Sequence, residues 1–426
     1  MISMRFAPER PGLRALTWAR NSSMPKDDYL DDPAFPAELE NLQACLRAHP
    51  TLRSLTSSAW FSQNRNRIER ILDHSHVENS SFSPSPGKPW LRCLSWNIEK
   101  GTKLDMLIEI FRSDRRFLSA DLILLQEADL GMARSGNRFV ARELARTLDM
   151  NFAFAPCFIE LTKGAGEDLK AAGENSSGLQ GNAILSRFPI QSARTIRLPQ
   201  CFEPFEFSEK RYGNRAALIC QFDIGGRKMM AATTHLEVRN SPRCRAEQMA
   251  ALIGALKEEA RTTILIGGDF NSNTFPRGTA WRTLRSLFRL MTVDPANLVG
   301  TTLSPQAREP LFDVLSHSGF EWKPFNDSTA TAATFLRSLE DVHLIPRFLR
   351  DRASRTLKSF EKGLPLRLDW FVGKNISPVV PLSRRESMVH GLDPISPMTI
   401  TEFENGVAPE NVSDHRPILV DLAWDP

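Results

Sequence analysis

From Trp90 onward the chain carries a series of short apolar runs, each of strand length and each ended by turn-forming or polar residues. Runs of this length bounded by Gly, Pro, Asn or Asp predict buried β-strands. Longer segments between them, with apolar residues at three- and four-residue spacing, predict amphipathic helices. This alternation predicts a layered α/β domain. The predicted strands are LRCLSWNI, DLILLQEA, GNAILSRF, AALICQFDI, KMMAATTHL, TTILIGGDF, RLDWFVG and PILVDL.

The composition is that of a globular protein with enough apolar residues for a sizeable core. Of the 426 residues, 41% are hydrophobic and 24% are charged, and the net charge of +4 permits an anionic substrate without requiring one. The six cysteines are scattered and form no CxxC pair, so we expect free thiols rather than a zinc ribbon or a disulfide framework. No run reaches the length of a membrane span or a signal peptide. We therefore expect a monomeric cytoplasmic protein without stable membrane insertion.

Residues 1–88 differ in sequence pattern from the rest of the chain and are predicted to form an N-terminal irregular and helical extension. Two or three short helices are predicted between residues 36 and 76, with a break at Pro50. Residues 89–426 are predicted to form one α/β domain with two insertions. The first is Gly-rich, at residues 162–181. The second, around residues 335–365, is basic and is either a solvated helical face or a lid that contacts substrate.

Polar residues that suit phosphoester chemistry follow several of the predicted strands. Glu127 ends one strand, His235 ends another, and Asp269 and Asn271 follow the run ILIGG. Each residue alone has a structural explanation, since Gly, Asp and Asn are common in turns. Together, however, carboxylates and amides are the ligands of hard divalent cations, and histidines transfer protons. The set is completed by Asn97, Asp369, Asp414 and His415.

The order of these segments resembles the endonuclease/exonuclease/phosphatase superfamily, which has the deoxyribonuclease-I-like fold. The resemblance runs from about residue 91 to residue 422 and is carried by SWNIEKG, LLQEAD, GNAILSRFPI, TTHLE, GGDFNSN, RLDWF and SDHRPI. It implies a four-layer α/β sandwich, in which two mixed sheets pack together between helices. It also implies a hydrolase of phosphoester bonds that uses Mg²⁺, with Mn²⁺ as the alternative metal. These sequence motifs are most similar to those of uncharacterised bacterial members and of tyrosyl-DNA phosphodiesterases.

The resemblance implies a role for each matched residue in the chemistry. Asn97, Glu127 and Asp414 would lie at the metal, with Glu127 as the principal ligand. Asp269 would orient or deprotonate the attacking water, and Asn271 would hydrogen-bond a phosphoryl oxygen.

The matched histidines would act on the phosphate. His235 and His415 would donate to it or transfer protons, and Asp369 would orient the ring of His415. The apurinic-site enzymes of the superfamily place a tyrosine where this chain has His235, so a dedicated abasic endonuclease is less favoured.

Four further residues are candidates for substrate binding: Asn182, Arg215, Glu237 and Arg245. Asn182 would line the substrate groove. Arg215 would contact a phosphate or pair with a surface acid, and Arg245 would face the site or serve helix packing.

The leading functional hypothesis is a metal-dependent phosphodiesterase that acts on nucleic acid. The alternative is a phosphoesterase for a phospholipid or a small molecule. Phe202, Phe205 and Phe207 would then form a lipid-facing loop, unless they belong to the core. A catalytically silent binding module is the lesser alternative, because Glu127 and Asp269 are both retained.

Overall fold

The structure is a computed structural model that describes most of the chain. The described residues are 30, 32, 34–80, 89–256, 262–273, 275, 276, 279–334, 348, 360, 363–379 and 394–424. The irregular segment predicted at the N-terminus and most of the basic insertion around 335–365 lie outside them.

Fifteen strands in the described part of the chain form two large sheets and one two-stranded ribbon. Sheet A has the order β1-β4-β5-β3-β2-β15-β14, with β7 paired to β4, and sheet B has the order β13-β10-β9-β8-β6. The ribbon is β11-β12. The strands are β1 (His76–Glu78), β2 (Trp90–Asn97), β3 (Leu122–Leu130), β4 (Asn151–Glu160), β5 (Leu179–Ser186), β6 (Ser192–Arg197), β7 (Arg211–Gly213), β8 (Ala216–Ile224), β9 (Arg227–His235), β10 (Thr263–Asp269), β11 (Ala332–Thr334), β12 (Leu364–Leu366), β13 (Asp369–Lys374), β14 (Met398–Thr399) and β15 (Ile418–Ala423).

Both large sheets are mixed, and each places one parallel pair at its centre. In sheet A, β2 runs parallel to β3 and antiparallel to β15. In sheet B, β10 runs parallel to β9 and antiparallel to β13. Parallel neighbours end at the same edge of a sheet, so the carboxyl ends of β2 and β3 meet, as do those of β9 and β10.

Helices cover the outer faces of both sheets and complete four layers. The apolar side chains of α4 and α6 pack on one face of sheet A, and those of α7 and α10 pack on one face of sheet B. A third cluster fills the space between the sheets. The predicted four-layer α/β sandwich is therefore confirmed. The helices are α1 (Phe35–Ala48), α2 (Leu52–Thr56), α3 (Ala59–Asp73), α4 (Leu104–Ser113), α5 (Arg115–Leu118), α6 (Val140–Thr147), α7 (Pro242–Ala255), α8 (Ala280–Thr292), α9 (Pro295–Leu303) and α10 (Leu311–His317).

Strand β4, which the sequence pattern did not indicate, is the main difference from the predicted elements. Its segment NFAFAPCFIE is buried along its whole length, so it lacks the alternation of a half-exposed strand. Pro156 also falls inside it, and proline usually excludes a central strand. The structure accommodates Pro156 next to an irregularity, where the pairing of β4 with β5 shifts between Pro156 and Phe158.

The N-terminal helices α1 to α3 pack against the end of sheet A. Leu39, Leu46 and Ile68 are fully buried, in one cluster with Ile159 and Leu179. The amide of Gln43 secures the contact, because its Nε2 donates to the carbonyl oxygens of residues 160, 177 and 178. The helices predicted for this segment and their apolar stripes are thus present.

One prediction about cysteine was wrong. Cys201 and Cys244 form a disulfide, with 6.1 Å between their Cα atoms and 43 residues between them in sequence. Cys45, Cys93, Cys157 and Cys220 are free, as expected. Sequence spacing does not reveal which cysteines meet in space, so the pair could not be predicted.

No helix in the described part of the chain combines the length and the apolar character that crossing a bilayer needs.

Candidate active site

The ends of three neighbouring strands in sheet B bring polar side chains together. Asp269, the last residue of β10, is in register with His235 at the end of β9 and with Asp369 at the start of β13. Residues in register project to the same face of a sheet. As a result, His235 Nε2 lies 3.2 Å from Asp269 Oδ2.

Sheet A supplies Asn97 and Glu127 from the ends of its parallel pair. Asn97 Nδ2 donates to Glu127 Oε1 at 3.4 Å and to Asp269 Oδ2 at 3.3 Å, so this one amide joins the two sheets. Glu127 lies at a bulge, where the pairing of β3 with β5 shifts, and its φ is 58°. Positive φ is uncommon outside glycine, and bulges next to active sites re-aim side chains. We infer that the bulge directs the Glu127 carboxylate toward the site.

A tight turn after β10 holds the carboxylate of Asp269. Its Oδ1 accepts from the backbone N of Asn271 at 2.9 Å, and Asn271 Nδ2 donates to Asp269 Oδ2 at 3.3 Å and to the Leu236 carbonyl at 3.0 Å. Burial raises the pKa of Asp269 to about 7. The charge of His415 lowers this pKa, whereas the charge of Asp369 raises it. Asp269 can therefore accept a proton near neutral pH.

His415 is held against Asp369 as a buried acid–histidine pair. His415 Nδ1 lies 2.8 Å from Asp369 Oδ2, and its backbone carbonyl accepts from Trp96 Nε1 at 2.8 Å. Burial favours the neutral ring, but the charges of Asp369, Asp269 and Asp414 raise the pKa of His415 well above its usual range. These charges therefore favour the cationic form of the ring, whose Nε2 lies 3.7 Å from Asp269 Oδ2.

His235 is in the opposite protonation state. Burial lowers its pKa well below the usual range, and the positive charges of Arg215, His415 and Arg211 lower it further. A neutral histidine and a cationic histidine thus flank the same carboxylate, that of Asp269. Environments that push the pKa values of neighbouring groups apart are typical of sites for acid–base chemistry.

The two glycines before Asp269 serve close packing between strands. A Cβ on Gly268, where φ is 152°, would meet the Thr234 carbonyl oxygen at 2.0 Å. A Cβ on Gly267 would meet the ring of Phe371 at 2.7 Å. The glycines therefore let β10 lie close enough to its neighbours to set the position of Asp269.

A comparison with models of protein families identifies the family of this chain. Residues 94–415 match the model of the Endonuclease/Exonuclease/phosphatase family. The chain belongs to the endonuclease/exonuclease/phosphatase family. Members of this family are hydrolases of phosphoester bonds, and they generally use a divalent metal. The resemblance seen in the sequence is thus confirmed.

Solved structures of the family include several that are similar to this chain. An endonuclease/exonuclease/phosphatase from Beutenbergia cavernae DSM 12333 is 16% identical, covers 79% of this chain and 72% of its own, and gives a TM-score of 0.45. The catalytic domain of human Nocturnin with bound sulfate anion is 16% identical over 84% of this chain and 99% of its own, with a TM-score of 0.41. D. rerio TDP2 complexed with single strand DNA product is 14% identical over 79% and 99%, with a TM-score of 0.40. A comparison with curated proteins gave no significant match.

The donor chemistry around Glu127 fits the divalent cation of the family. Its carboxylate accepts from Asn97 Nδ2 at a long 3.4 Å, and its Oε1 lies 3.5 Å from His235 Nδ1. That nitrogen is buried and has no hydrogen-bond partner among the described residues. A carboxylate facing an orphaned imidazole nitrogen is a setting that a cation would stabilise.

Asp269, Asp369 and His415 form another cluster with metal-ligand spacing, since one ligand atom from each lies within 4.8 Å of the others. We favour the Glu127 side of the site for a metal. In the Asp269–Asp369–His415 cluster, His415 Nδ1 and Asp369 Oδ2 are already joined by a hydrogen bond of 2.8 Å, and Asp269 Oδ1 accepts from the backbone N of Asn271 at 2.9 Å.

Several residues predicted for the site lie at its edges. Asp414 is exposed, yet its charge raises the pKa of Glu99, whose burial has the larger effect. Asn182 is buried, and its Nδ2 donates to the Ala216 carbonyl at 2.9 Å, which links the two sheets. Glu237 is 3.8 Å from Arg215 and accepts from the backbone N of Arg239 at 2.8 Å.

Arg245 is placed where the helix-packing alternative expects it. Its side chain is fully buried, and Nη2 and Nε bind the two carboxylate oxygens of Glu309 at 2.6 and 3.0 Å. Its Nη1 donates to the Glu237 carbonyl at 3.3 Å. The geometry therefore supports a structural role for Arg245 rather than contact with substrate.

We expect Arg245→Leu to lower the free energy of unfolding by about 3–5 kcal/mol, because it removes the guanidinium that binds both oxygens of the buried Glu309 carboxylate. Urea unfolding measures this change. The double variant Arg245→Leu with Glu309→Leu should recover most of the loss, since both charges are then absent. The control Arg243→Ala removes an exposed arginine of the same helix and should leave stability unchanged. Unchanged stability of Arg245→Leu with a raised KM would return Arg245 to the substrate site.

A buried ionic network next to Glu127 was missed by sequence reasoning. It joins sequence-distant residues, and the only local signal is the charged run EKR at 209–211. Its ion pairs include Arg134–Asp129 at 2.8 Å, Arg134–Glu209 at 2.6 Å and Lys100–Asp168 at 2.7 Å. The members are Lys100, Asp129, Arg134, Glu160, Asp168, Glu209 and Arg211.

Glu160 is the acid of this network whose ion pairs are the longest. Its Oε2 has no hydrogen-bond partner among the described residues, and the arginines paired with its Oε1 are 3.5 and 3.7 Å away, whereas Glu209 has an arginine at 2.6 Å. Burial raises the pKa of Glu160 to about 7, and the charge of Glu209 raises it too. Ionisation of Glu160 in the folded protein is therefore unfavourable.

We expect Glu160→Gln to be more stable than the wild type at high pH. A raised folded-state pKa contributes stability that is present at low pH and is lost as pH rises through about 7. The difference in Tm between Glu160→Gln and wild type should therefore increase from pH 5.5 to pH 8.5. Glu167→Gln, at an exposed carboxylate, is the control and should show no such trend. A difference that shrinks with pH would show that Glu160 is stabilised as the anion.

Proposed function

We propose that the chain is a Mg²⁺-dependent phosphodiesterase that acts on nucleic acid, with Mn²⁺ as an alternative metal. The observation that supports it best is the single amide of Asn97, which joins the Glu127 carboxylate of one sheet to the Asp269 carboxylate of the other. The contact supports the proposal because it joins a carboxylate suited to a divalent cation to a buried carboxylate suited to accept a proton.

The proposed roles of the site residues follow from their charges. Asp269, with a pKa of about 7, orients the attacking water and takes its proton, and Asn271 holds that carboxylate in place. His415, kept cationic by Asp369, donates to the phosphate or to the leaving oxygen. The neutral His235 contacts the phosphate from the other side of Asp269.

Glu127, with Asn97, would hold the metal, and Asp414 would act at its exposed edge. The bound cation would neutralise charge that develops on the phosphate. The positive φ of Glu127 and the burial of the Asp269 carboxylate both lower the stability of the fold. A role in catalysis explains why the chain keeps them.

Nucleic acid is favoured as substrate by the net charge of +4. The phenylalanine loop does not support the lipid alternative. Phe205 is fully buried, and Phe202 and Phe207 contact each other with 5.3 Å between ring centroids. The guanidinium of Arg239 lies over both of these rings.

The test is hydrolysis of end-labelled single-stranded DNA, single-stranded RNA and phospholipid vesicles by the wild type in Mg²⁺. Cleavage of DNA or RNA, absent with EDTA, is the expected result. Cleavage of phospholipid alone would replace the proposed substrate with the lipid alternative. Hydrolysis of none of the three would leave the silent binding module as the better hypothesis.

A further inference from the structure

Helix α8 presents two aromatic side chains to solvent. Trp281 is 73% exposed and Phe288 is 63% exposed. Phe288 follows Trp281 by two helical turns, so both rings lie on the same side of α8. Leu284 lies between them on that side and is partly exposed. An apolar row of this kind on one helix, rimmed by polar residues, is typical of an interaction surface.

The opposite side of α8 already has its partners inside the fold. Leu287 is buried and packs in one cluster with Phe275 and Leu298. The hydroxyl of Ser286 is also turned inward and donates to the Pro276 carbonyl at 2.7 Å. These contacts attach α8 to the domain without using the outer aromatic rings. The outer row is therefore available to a partner.

Arginines run along one edge of the outer row. Arg282, Arg285 and Arg289 are spaced three and four residues apart, so they follow one another along the helix. Arg282 and Arg285 have no ion-pair partner among the described residues, and the guanidinium of Arg289 lies 5.5 Å from the centroid of the Phe275 ring. No acidic residue occurs in α8. The edge is therefore positively charged and complementary to an anionic surface.

A bilayer fits this face better than a protein or a nucleic-acid strand does. At their exposed fractions, the two rings offer roughly 300 Å² of surface. A stable protein interface needs about 800 Å² on each partner. A single strand would stack its bases on the rings, but Leu284 between them has no π-face for stacking. In a bilayer, Trp281, Leu284 and Phe288 can all enter the interface at once.

Another exposed ring belongs to the basic insertion, which joins the fold at the same cluster. Phe348 is 70% exposed, and Arg347 and Arg350 are close to it in sequence. The two ends of the insertion meet where Thr334 of β11 pairs with Leu364 of β12. Leu364 packs in the cluster that holds the inner side of α8. The insertion therefore adds the same residue types, arginine and an exposed aromatic ring, to this part of the chain.

We propose that the outer face of α8 docks the protein on a membrane surface that contains anionic lipid. Trp281, Leu284 and Phe288 enter the headgroup region. Arg282 and Arg285 bind the lipid phosphates at its edge. The contact is peripheral, because the 13 residues of α8 are too few to cross a bilayer. This docking goes beyond the proposed function, since it concerns where the enzyme works and not which phosphoester it hydrolyses.

The test is co-sedimentation of the full-length protein with sucrose-loaded vesicles in EDTA, so that no lipid is hydrolysed. Vesicles of phosphatidylglycerol and phosphatidylcholine in equal parts should bind the protein at least about tenfold more tightly than phosphatidylcholine alone, and less so at high salt. Trp281→Ala combined with Phe288→Ala should weaken this binding about tenfold or more. Arg282→Gln combined with Arg285→Gln should weaken it by at least about tenfold, because both cationic contacts are lost.

Two controls remove an exposed residue of the matching type elsewhere on the surface. Leu169→Ala changes a leucine that is 54% exposed, and Arg243→Ala changes an exposed arginine of α7. Both should bind the vesicles as the wild type does. The α8 variants should hydrolyse bis-p-nitrophenyl phosphate at the wild-type rate, because none of the changed residues belongs to the candidate active site. Vesicle binding without any hydrolysis by the wild type would reject the proposed function and keep the docking surface.

Equal binding to both kinds of vesicle, or unchanged binding by the aromatic double variant, would overturn the membrane proposal. Sedimentation velocity tests a second copy of the chain as the occupant, and a wild-type dimer that becomes a monomer in the double variant would assign the face to it. Anisotropy of labelled single-stranded DNA tests nucleic acid. Loss of DNA binding in the double variant, with no vesicle binding by the wild type, would assign the face to the strand instead.

Discussion

Asp269→Asn should lower kcat by about 10²–10⁴-fold while the protein stays folded. The substitution keeps the size and the hydrogen-bond acceptor of the side chain but removes its ability to take a proton, and general base catalysis contributes about this much. The carboxylate is 1% exposed and its pKa is raised to about 7, so ionisation costs stability in the fold. In EDTA at pH 8, the Tm of Asp269→Asn should therefore equal or exceed that of the wild type.

The matched control is Asp313→Asn, at an exposed acid on α10 that should matter to neither property. Activity of Asp269→Asn within a few-fold of the wild type would show that another group accepts the proton. A large drop in Tm would instead show that the carboxylate is needed for folding.

Asp369→Asn should lower kcat by about 10²–10⁴-fold and change the pH profile. The carboxylate accepts from His415 at 2.8 Å and favours the cationic ring. Without it, the pKa of His415 should fall. The same change at the aspartate of the serine-protease triad, which also orients a histidine, lowers kcat by about 10⁴-fold.

The sign of the pH effect distinguishes a charge role from simple misplacement. A cationic donor is lost as pH rises through its pKa, so the descending limb of activity should move to lower pH in Asp369→Asn. The ratio of wild-type to variant activity should therefore be larger at pH 8.5 than at pH 6. The double variant with His415→Gln should be no worse than His415→Gln alone, because the two residues act as a unit. Additive losses would contradict the pairing.

The elements that the sequence predicted best are those whose burial is one-sided or whose ends are marked. The runs ending at Asn97, His235 and Asp269 became β2, β9 and β10, because apolar stretches stop there at polar residues. Strand β4 differs from them in that Pro156 interrupts its apolar run, since β2 and β10 are also buried along their whole length. Its existence depends on its partners β5 and β1 rather than on its own pattern.

In the candidate site, too, some features follow from the local sequence and others depend on tertiary contacts. Asn97, His235 and Asp269 could be proposed as site residues because they end strands, and the strand ends of parallel pairs converge. Protonation states could not be predicted, because they depend on which buried charges meet. His235 and His415 have the same intrinsic chemistry, yet Arg215 and Asp369 push their pKa values in opposite directions. The partner of Arg245 and the Cys201–Cys244 disulfide are long-range contacts of the same kind.

The most direct measurement is hydrolysis of bis-p-nitrophenyl phosphate by wild type and Asp269→Asn, each with Mg²⁺, Mn²⁺ and EDTA. The proposed mechanism predicts turnover by the wild type with either metal, none with EDTA, and a loss of at least about 10²-fold in the variant. Preference for this diester over p-nitrophenyl phosphate would identify a diesterase. Turnover that persists in EDTA, or that is equal in the two proteins, would contradict a metal-dependent phosphodiesterase built around Asp269.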